Sequence, residues 1–348
     1  MDLAGRFAEL GVTKAEMDQA RASGTIDELA IERVVLPGAR RYDQRALAQE
    51  AGIKLDVLRR LWRAMGFPDP DPRERLFTDM DLQALRDASG ELTDGDAERA
   101  LQSIRTICSA LSRVAEMTAD EWVAQRAAAI DAGSDPDDVA EVILADADME
   151  RSGRLMFHIY RRMLLAALRR RLTTGDGTAE ATLSVGFIDM VGFTALVEEL
   201  DEDELAAVVT DFETRTHDTV AEMGGRIVKT IGDEVMFVTD QPARAIEIAL
   251  RLAGDTRRGP YTPDVRAGLA YGPVLAREGD YFGSVVNLAS RLVTLAYPGR
   301  VLASSAVHDV VADDPRWQWR FLQPRRLKGL GRVPVWAVRS STEPATTR

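Results

Sequence analysis

The sequence predicts an α+β chain in two parts, an all-helical amino-terminal half followed by a half in which strands and helices mix. Three observations predict this. The first 172 residues carry almost no β signal and several helical periodicities, punctuated by Pro37-Gly38, Gly66-Phe67-Pro68 and Pro70-Asp71-Pro72. From Leu183 onward, short apolar runs with β-branched content alternate with amphipathic segments. Between the two, Thr173-Thr174-Gly175-Asp176-Gly177-Thr178 is small and polar, a composition that gives a flexible connection. With 348 residues, 45% of them apolar, the chain is long enough for two domains of ordinary globular composition.

Within the helical half, residues 45–53 and 58–62 have the spacing of a helix-turn-helix, with small Ala48, Gly52 at the turn and apolar Leu58 on the second helix. Phe77-Thr78-Asp79 opens a further capped helix, much as in MerR-like DNA-binding modules. Charge argues against nucleic acid as the partner. Acids outnumber bases across this half and the whole chain carries a net charge of -12, the wrong sign for a phosphate backbone or an anionic membrane. A structural or regulatory reuse of the fold is therefore expected.

Residues 131–150 hold many acids and no base, whereas 151–171 hold many arginines and no acid. Two such blocks are expected either to pair, across a helical turn or across a dimer, or to form a solvated acidic face followed by a basic amphipathic helix. His158 lies in the basic block, as a group able to titrate near neutral pH or as a plain packing residue. The apolar stretch at 155–168 is broken by Arg161 and Arg162 and is too short to span a bilayer, and no secretory leader pattern opens the chain. The single cysteine, Cys108, excludes an internal disulfide and suits a reducing compartment. A cytoplasmic protein without stable membrane insertion is expected.

In the second half, residues 183–188 read as a strand buried in a sheet and ending at Asp189. Gly192-Phe193-Thr194 follow before a polar-faced helix, where a glycine lets backbone N–H groups approach phosphate oxygens. Met223-Gly224-Gly225 ends a helix, Arg226 begins a strand, and Gly232-Asp233 occupies a tight turn before the apolar run 235–238. Asp233 is thus expected on a hairpin tip. Two carboxylates projected from adjacent strand ends can bridge a pair of magnesium ions, which take hard oxygen ligands. From Val285 a helix with an apolar stripe carries Asn287 and Arg291 on one face, placed to hold a ribose and neutralise a phosphoryl group, or forming an ordinary polar surface. Trp317 to Trp336, with Lys328 between them, should supply closing strands.

Asp189, Lys229-Thr230-Ile231-Gly232-Asp233-Glu234, Asp280, Asn287 and Arg291, in this order, resemble the catalytic domain of the class III nucleotidyl cyclases over roughly 182–339. The resemblance implies a ferredoxin-like βαββαβ catalytic domain over 182–340, a helical regulatory domain over 1–172, a hinge at 173–181 and a disordered tail at 341–348. It implies two divalent cations, magnesium or manganese, at Asp189, Met190 and Asp233. It implies that Lys229 and Asp280 read the purine of ATP, and that Asn287 and Arg291 orient the ribose and stabilise the transition state. Arg266, Lys328, Gly192, Phe193 and Thr194 align with residues that contact substrate. The Lys/Asp combination is similar to that of adenylate cyclases.

The family further implies a head-to-tail homodimer whose two sites each take residues from both copies. A helical module joined to such a domain is similar to the soluble actinobacterial adenylate cyclases, which implies regulation by the amino-terminal half through a proton or a small molecule such as a fatty acid. A second reading stays open, a nucleotide-sensing or DNA-binding regulator whose cyclase-like domain does not catalyse.

Overall fold

The computed structural model describes residues 2–93, 97–146, 148–173, 180–254 and 263–342. The chain divides into two compact units, Met1–Ala167 and Leu168–Arg348. The expected hinge at 173–181 and tail at 341–348 fall mostly outside the described residues.

The first unit is helical throughout: α1 (Leu3–Glu9), α2 (Lys14–Ser23), α3 (Ile26–Val35), α4 (Gln44–Ala51), α5 (Leu55–Ala64), α6 (Asp79–Thr93), α7 (Ala97–Asp131), α8 (Pro136–Asp146) and α9 (Met149–Thr173), the last running on into the second unit. Local signals set the ends. Thr13 and Glu16 form a reciprocal capping box at the start of α2, and Asp43 accepts from Arg45 and Ala46 at the start of α4. Gly52 ends α4 in the left-handed conformation (φ 71°), the turn of the expected helix-turn-helix. Leu47, Ala48, Leu58 and Leu61 then bury against Phe77 and Leu82, while Phe7, Met17, Ile26, Ala30 and Ala140 form a separate cluster under α1, α2, α3 and α8.

Helix α5, the second helix of the expected helix-turn-helix, carries three arginines. Its arginines are already engaged: Arg59 donates to Gln44, Arg60 pairs with Glu98, and Arg63 forks onto Asp69. The acidic and basic blocks meet only at Arg154–Glu150 among the described residues, while Asp137 pairs with Arg21 instead. Val139 and Ala140 are the buried residues of α8, which packs on α3, while Asp138 and Glu141 are exposed. His158 is exposed on α9.

The second unit contains β1 (Glu180–Met190), α10 (Phe193–Glu199), α11 (Glu202–Glu222), β2 (Arg226–Ile231), β3 (Glu234–Thr239), α12 (Pro242–Ala253), β4 (Val265–Arg277), β5 (Asp280–Phe282), α13 (Ser284–Leu295), β6 (Val301–Ser304), α14 (Ser305–Val311), β7 (Trp317–Leu327) and β8 (Gly331–Ser340). The strands form one sheet in the order β2-β3-β1-β4-β6-β8-β7, with β5 added to β4. Each neighbouring pair among its first four members is antiparallel, which gives the ferredoxin-like βαββαβ arrangement with β1 between β3 and β4.

Alternation along β1 separates two cores. Ile188 and Met190 pack with Phe212, Ile246 and Ile248 beneath α11 and α12, whereas Val185 and Phe187 pack with Val285, Ala289 and Val293 of α13. Gly268 is required where α13 crosses β4. A Cβ there would lie 2.2 Å from the backbone nitrogen of Val293, so any larger residue would push the helix off the sheet.

Candidate active site

The end of β1 brings together charges that are far apart in sequence. Asp189 lies opposite Glu234 of β3 on one side and Arg266 of β4 on the other, and directly paired residues share a sheet face. Asp189 is 7% exposed, and Nε and Nη2 of Arg266 both approach its Oδ2 at 2.6 Å. Asp233 occupies the two-residue loop between β2 and β3. Gly232 supplies the positive φ (62°) at the first loop position, and the Asp233 carbonyl accepts from the Met190 N–H at 3.2 Å. The turn is thereby tied to the strand end that bears Asp189. Met190 buries its side chain in the core, which leaves only its backbone carbonyl as a possible cation ligand.

Electrostatically the cluster is short of positive charge. Burial raises the Asp189 carboxyl above its ordinary value; Arg266 opposes this and the Asp233 charge adds to it. Glu234 is pushed up to about 7 by burial and by the negative charges of Asp189 and Asp233. Among the described residues no group of three or more His, Cys, Asp or Glu side chains forms a metal cage. Two hard carboxylates with a backbone carbonyl fit a divalent cation that draws its remaining ligands from substrate oxygens, and such a cation would relieve this crowding. Just beyond, Gly192 (φ 78°) precedes α10 and offers no side-chain cap, with Phe193 partly buried and Thr194 exposed.

The second group lies around β2 and β5. A β-bulge between Ile227 and Lys229 leaves Val228 without an opposite residue, so that Lys229 faces Met236 on the α13 side of the sheet. Without the bulge, period-two alternation would turn Lys229 toward α11 and α12. Lys229 Nζ donates to Asp280 Oδ2 at 2.5 Å, and Asp280 Oδ1 accepts from the Tyr281 N–H at 2.7 Å. The donor and the acceptor expected to read a purine are therefore adjacent although 51 residues apart.

On α13, Val285, Ala289, Leu292 and Val293 face the sheet, and Asn287 and Arg291 point away from it, exposed. Among the described residues, no hydrogen bond or ion pair joins either one, or Lys229 and Asp280, to Asp189 or Asp233. Lys328 is exposed at the tip of the β7–β8 hairpin. Arg266 occupies Asp189 instead of standing free for a triphosphate. Sequence reasoning passed over Glu234 as a member of the carboxylate cluster, and over Arg226 and Tyr281. Glu234 was legible as the neighbour of Asp233, but its side of the sheet depends on register.

The chain matches the adenylate and guanylate cyclase catalytic domain over residues 178–340 and the adenylate cyclase regulatory domain over residues 1–172. It is 36% identical over 282 residues to an adenylate cyclase of Streptomyces coelicolor, spanning 80% of this chain and 74% of that one. It is 31% identical over 336 residues to an adenylate cyclase of Glutamicibacter nicotianae, spanning 89% and 81% respectively. A Mycobacterium tuberculosis protein named as a pH-sensitive adenylate cyclase is 31% identical over 353 aligned positions, with 95% and 85% covered. Among solved structures, the adenylyl cyclase CyaB of P. aeruginosa aligns with 47% of this chain and 95% of its own at 24% identity and a TM-score of 0.42.

Proposed function

The chain belongs to the adenylate cyclase family, and on that premise we propose that it converts ATP to 3′,5′-cyclic AMP and pyrophosphate at sites completed by a second copy. The observation that carries the reading is the Lys229–Asp280 pair, a donor beside an acceptor. Lys229 donates to adenine N1 and Asp280 accepts from the 6-amino group. Guanine reverses both demands and leaves two polar groups unpaired, which is a costly mismatch.

Asp189, the Met190 carbonyl and Asp233 would hold the divalent cations, two per site, magnesium or manganese. Cations bound there would supply a lowered pKa for the ribose 3′-hydroxyl and positive charge against the phosphates. Asn287 orients the ribose, so that the 3′-oxygen lies in line with the α-phosphorus. Arg291 stabilises negative charge growing on the transferred phosphoryl group, an effect felt in turnover more than in binding. Arg266, which pairs with Asp189, would also reach the triphosphate, joined by Lys328 and the backbone N–H groups of Gly192, Phe193 and Thr194.

The homodimer is supported by the separation just described, since Asn287 and Arg291 sit exposed and bonded to neither metal aspartate. It is also supported by apolar side chains left in solvent, among them Ile107, Leu111, Val114 and Met117 on α7 and Leu155, Phe157, Tyr160 and Met163 on α9. The amino-terminal unit regulates the dimer, in response to a proton or a small molecule such as a fatty acid. The engaged arginines of α5 argue against the alternative of a DNA-binding regulator.

The test is complementation. Full-length Asp189→Ala and Arg291→Ala should each be inactive, and mixing them should restore about one quarter of wild-type cyclic AMP formation, because half of the dimers then carry one intact site. Two inactive variants that stay inactive when mixed, with mixed dimers demonstrated by differential tagging, would remove the composite site. Wild-type protein that binds ATP with manganese and never releases pyrophosphate would remove the enzyme reading.

A further inference from the structure

We propose that Arg226 and Tyr281 are positioning residues that clamp β5 across the sheet and so fix Asp280 in the geometry that reads adenine. This rests on the reading of Lys229 and Asp280 as the purine pair. The need for a clamp follows from topology. Strand β5 has three residues, pairs only with β4, and follows a reversal in which Glu278 and Gly279 both take positive φ (54° and 84°). Lys229 stands on β2, separated from β4 by β3 and β1 in the sheet order. A three-residue strand is marginal alone, and nothing in its pairing to β4 fixes how far it leans toward β2.

The link is made one residue beyond Asp280. Tyr281 is partly buried against the Phe187, Met236 and Val238 patch on the α13 face. Its hydroxyl accepts from Nη2 of Arg226 at 2.7 Å, and the Arg226 guanidinium carbon lies 5.3 Å from the centre of the Tyr281 ring. Arg226 opposes Val238 and Lys229 opposes Met236, so the bulge at Val228 is what brings both cations to one face at a spacing of three residues. The result is two rungs between β2 and β5, Arg226 to Tyr281 and Lys229 to Asp280. Only the second is free to exchange its partner for a base. When ATP arrives and Lys229 turns to N1, the first rung keeps Asp280 where the 6-amino group will be. The hydrogen bond from the Tyr281 N–H to Asp280 Oδ1 holds the rotamer.

The experiment uses the full-length chain with manganese, measuring kcat and KM for ATP and GTP together with the melting temperature. Tyr281→Phe keeps the ring and removes the acceptor, Arg226→Met removes the charge, and Arg226→Lys retains it. The expected result for Tyr281→Phe and Arg226→Met is a KM for ATP raised about tenfold, unchanged kcat, and a fall in the ATP to GTP preference of similar size, with Arg226→Lys recovering part of both. Asp280→Ala is measured alongside to separate the two layers. If Asp280→Ala abolishes the preference while Tyr281→Phe and Arg226→Met keep it, the clamp is wrong and the purine pair stands. If Asp280→Ala itself leaves the preference intact, the purine reading fails and the clamp with it. Variants that lower the melting temperature and kcat without touching the preference would reduce Arg226 and Tyr281 to structural residues and overturn the proposal.

Discussion

Carboxylates in the two units are managed in opposite ways. In the amino-terminal unit two acids that join helices each have their own guanidinium: half-buried Glu16 meets Arg33 at 2.7 Å, and fully buried Asp27 meets Arg126 at 2.6 Å. At the end of β1, Asp189, Asp233 and Glu234 share a neighbourhood in which Arg266 is the one cation acting on Asp189 and Glu234 among the described residues, and two of the three have carboxyl groups raised above their ordinary range. One unit spends its acids on holding helices together. The other keeps an excess of negative charge that weakens folding and suits a cation, which is how stability is commonly traded for function at a site.

Neutralising Asp189 should break the comparison most visibly. Asp189→Asn should cut cyclic AMP formation by about 10²–10³-fold or more, since it removes a ligand from the centre that offsets transition-state charge. Its melting temperature should change little, because burial disfavours the ionised form of Asp189 while the Arg266 pair, which the substitution weakens, favours it. Activity and thermal unfolding of the same preparation check both halves. Arg126→Ala is the converse. It strands Asp27, whose Oδ1 already has no partner, and should destabilise the amino-terminal unit by about 3–5 kcal/mol, read by denaturant unfolding. An Arg126→Ala, Asp27→Leu pair should recover much of that loss.

The sequence exposed whatever was local. The strand ending at Asp189, the Gly232-Asp233 loop, the Gly52 turn and the shared face of Asn287 and Arg291 each depend on a few consecutive residues, and each is present. What it concealed depends on register between distant segments. Arg266 reads as a free base until β4 is aligned against β1, 77 residues away, and then it faces Asp189. The side taken by Lys229 depends on one unpaired residue, Val228, which looks like any other β-branched strand position. The acidic block left two outcomes open, pairing with the basic block or a solvated face; α8 packs on α3, and Asp137 finds Arg21.

Smaller effects should distinguish the units by the sign of their pH dependence. Glu234 titrates at about 7 in the folded protein against 4.5 ordinarily, so the folded state holds its proton more tightly than the unfolded state does. Its contribution is fully present below about pH 4.5 and is lost as pH rises to about 7, amounting to at most about 3 kcal/mol. Glu234→Gln should flatten that limb in urea unfolding of the full chain, and so should manganese, by favouring the ionised cluster. For Glu16 burial pushes upward, but the Thr13 N–H and hydroxyl and the Arg33 charge prevail and hold its carboxyl below the ordinary value. Its contribution is therefore present above 4.5 and disappears as pH falls through the lowered value, and Glu16→Gln should remove a slope of the opposite sign. That effect is the smallest, because Glu16 is 41% exposed and water screens its pair with Arg33. If both substitutions flatten the same limb, the two units do not differ in how they handle their acids, and the excess charge at the end of β1 loses its meaning as a cation site.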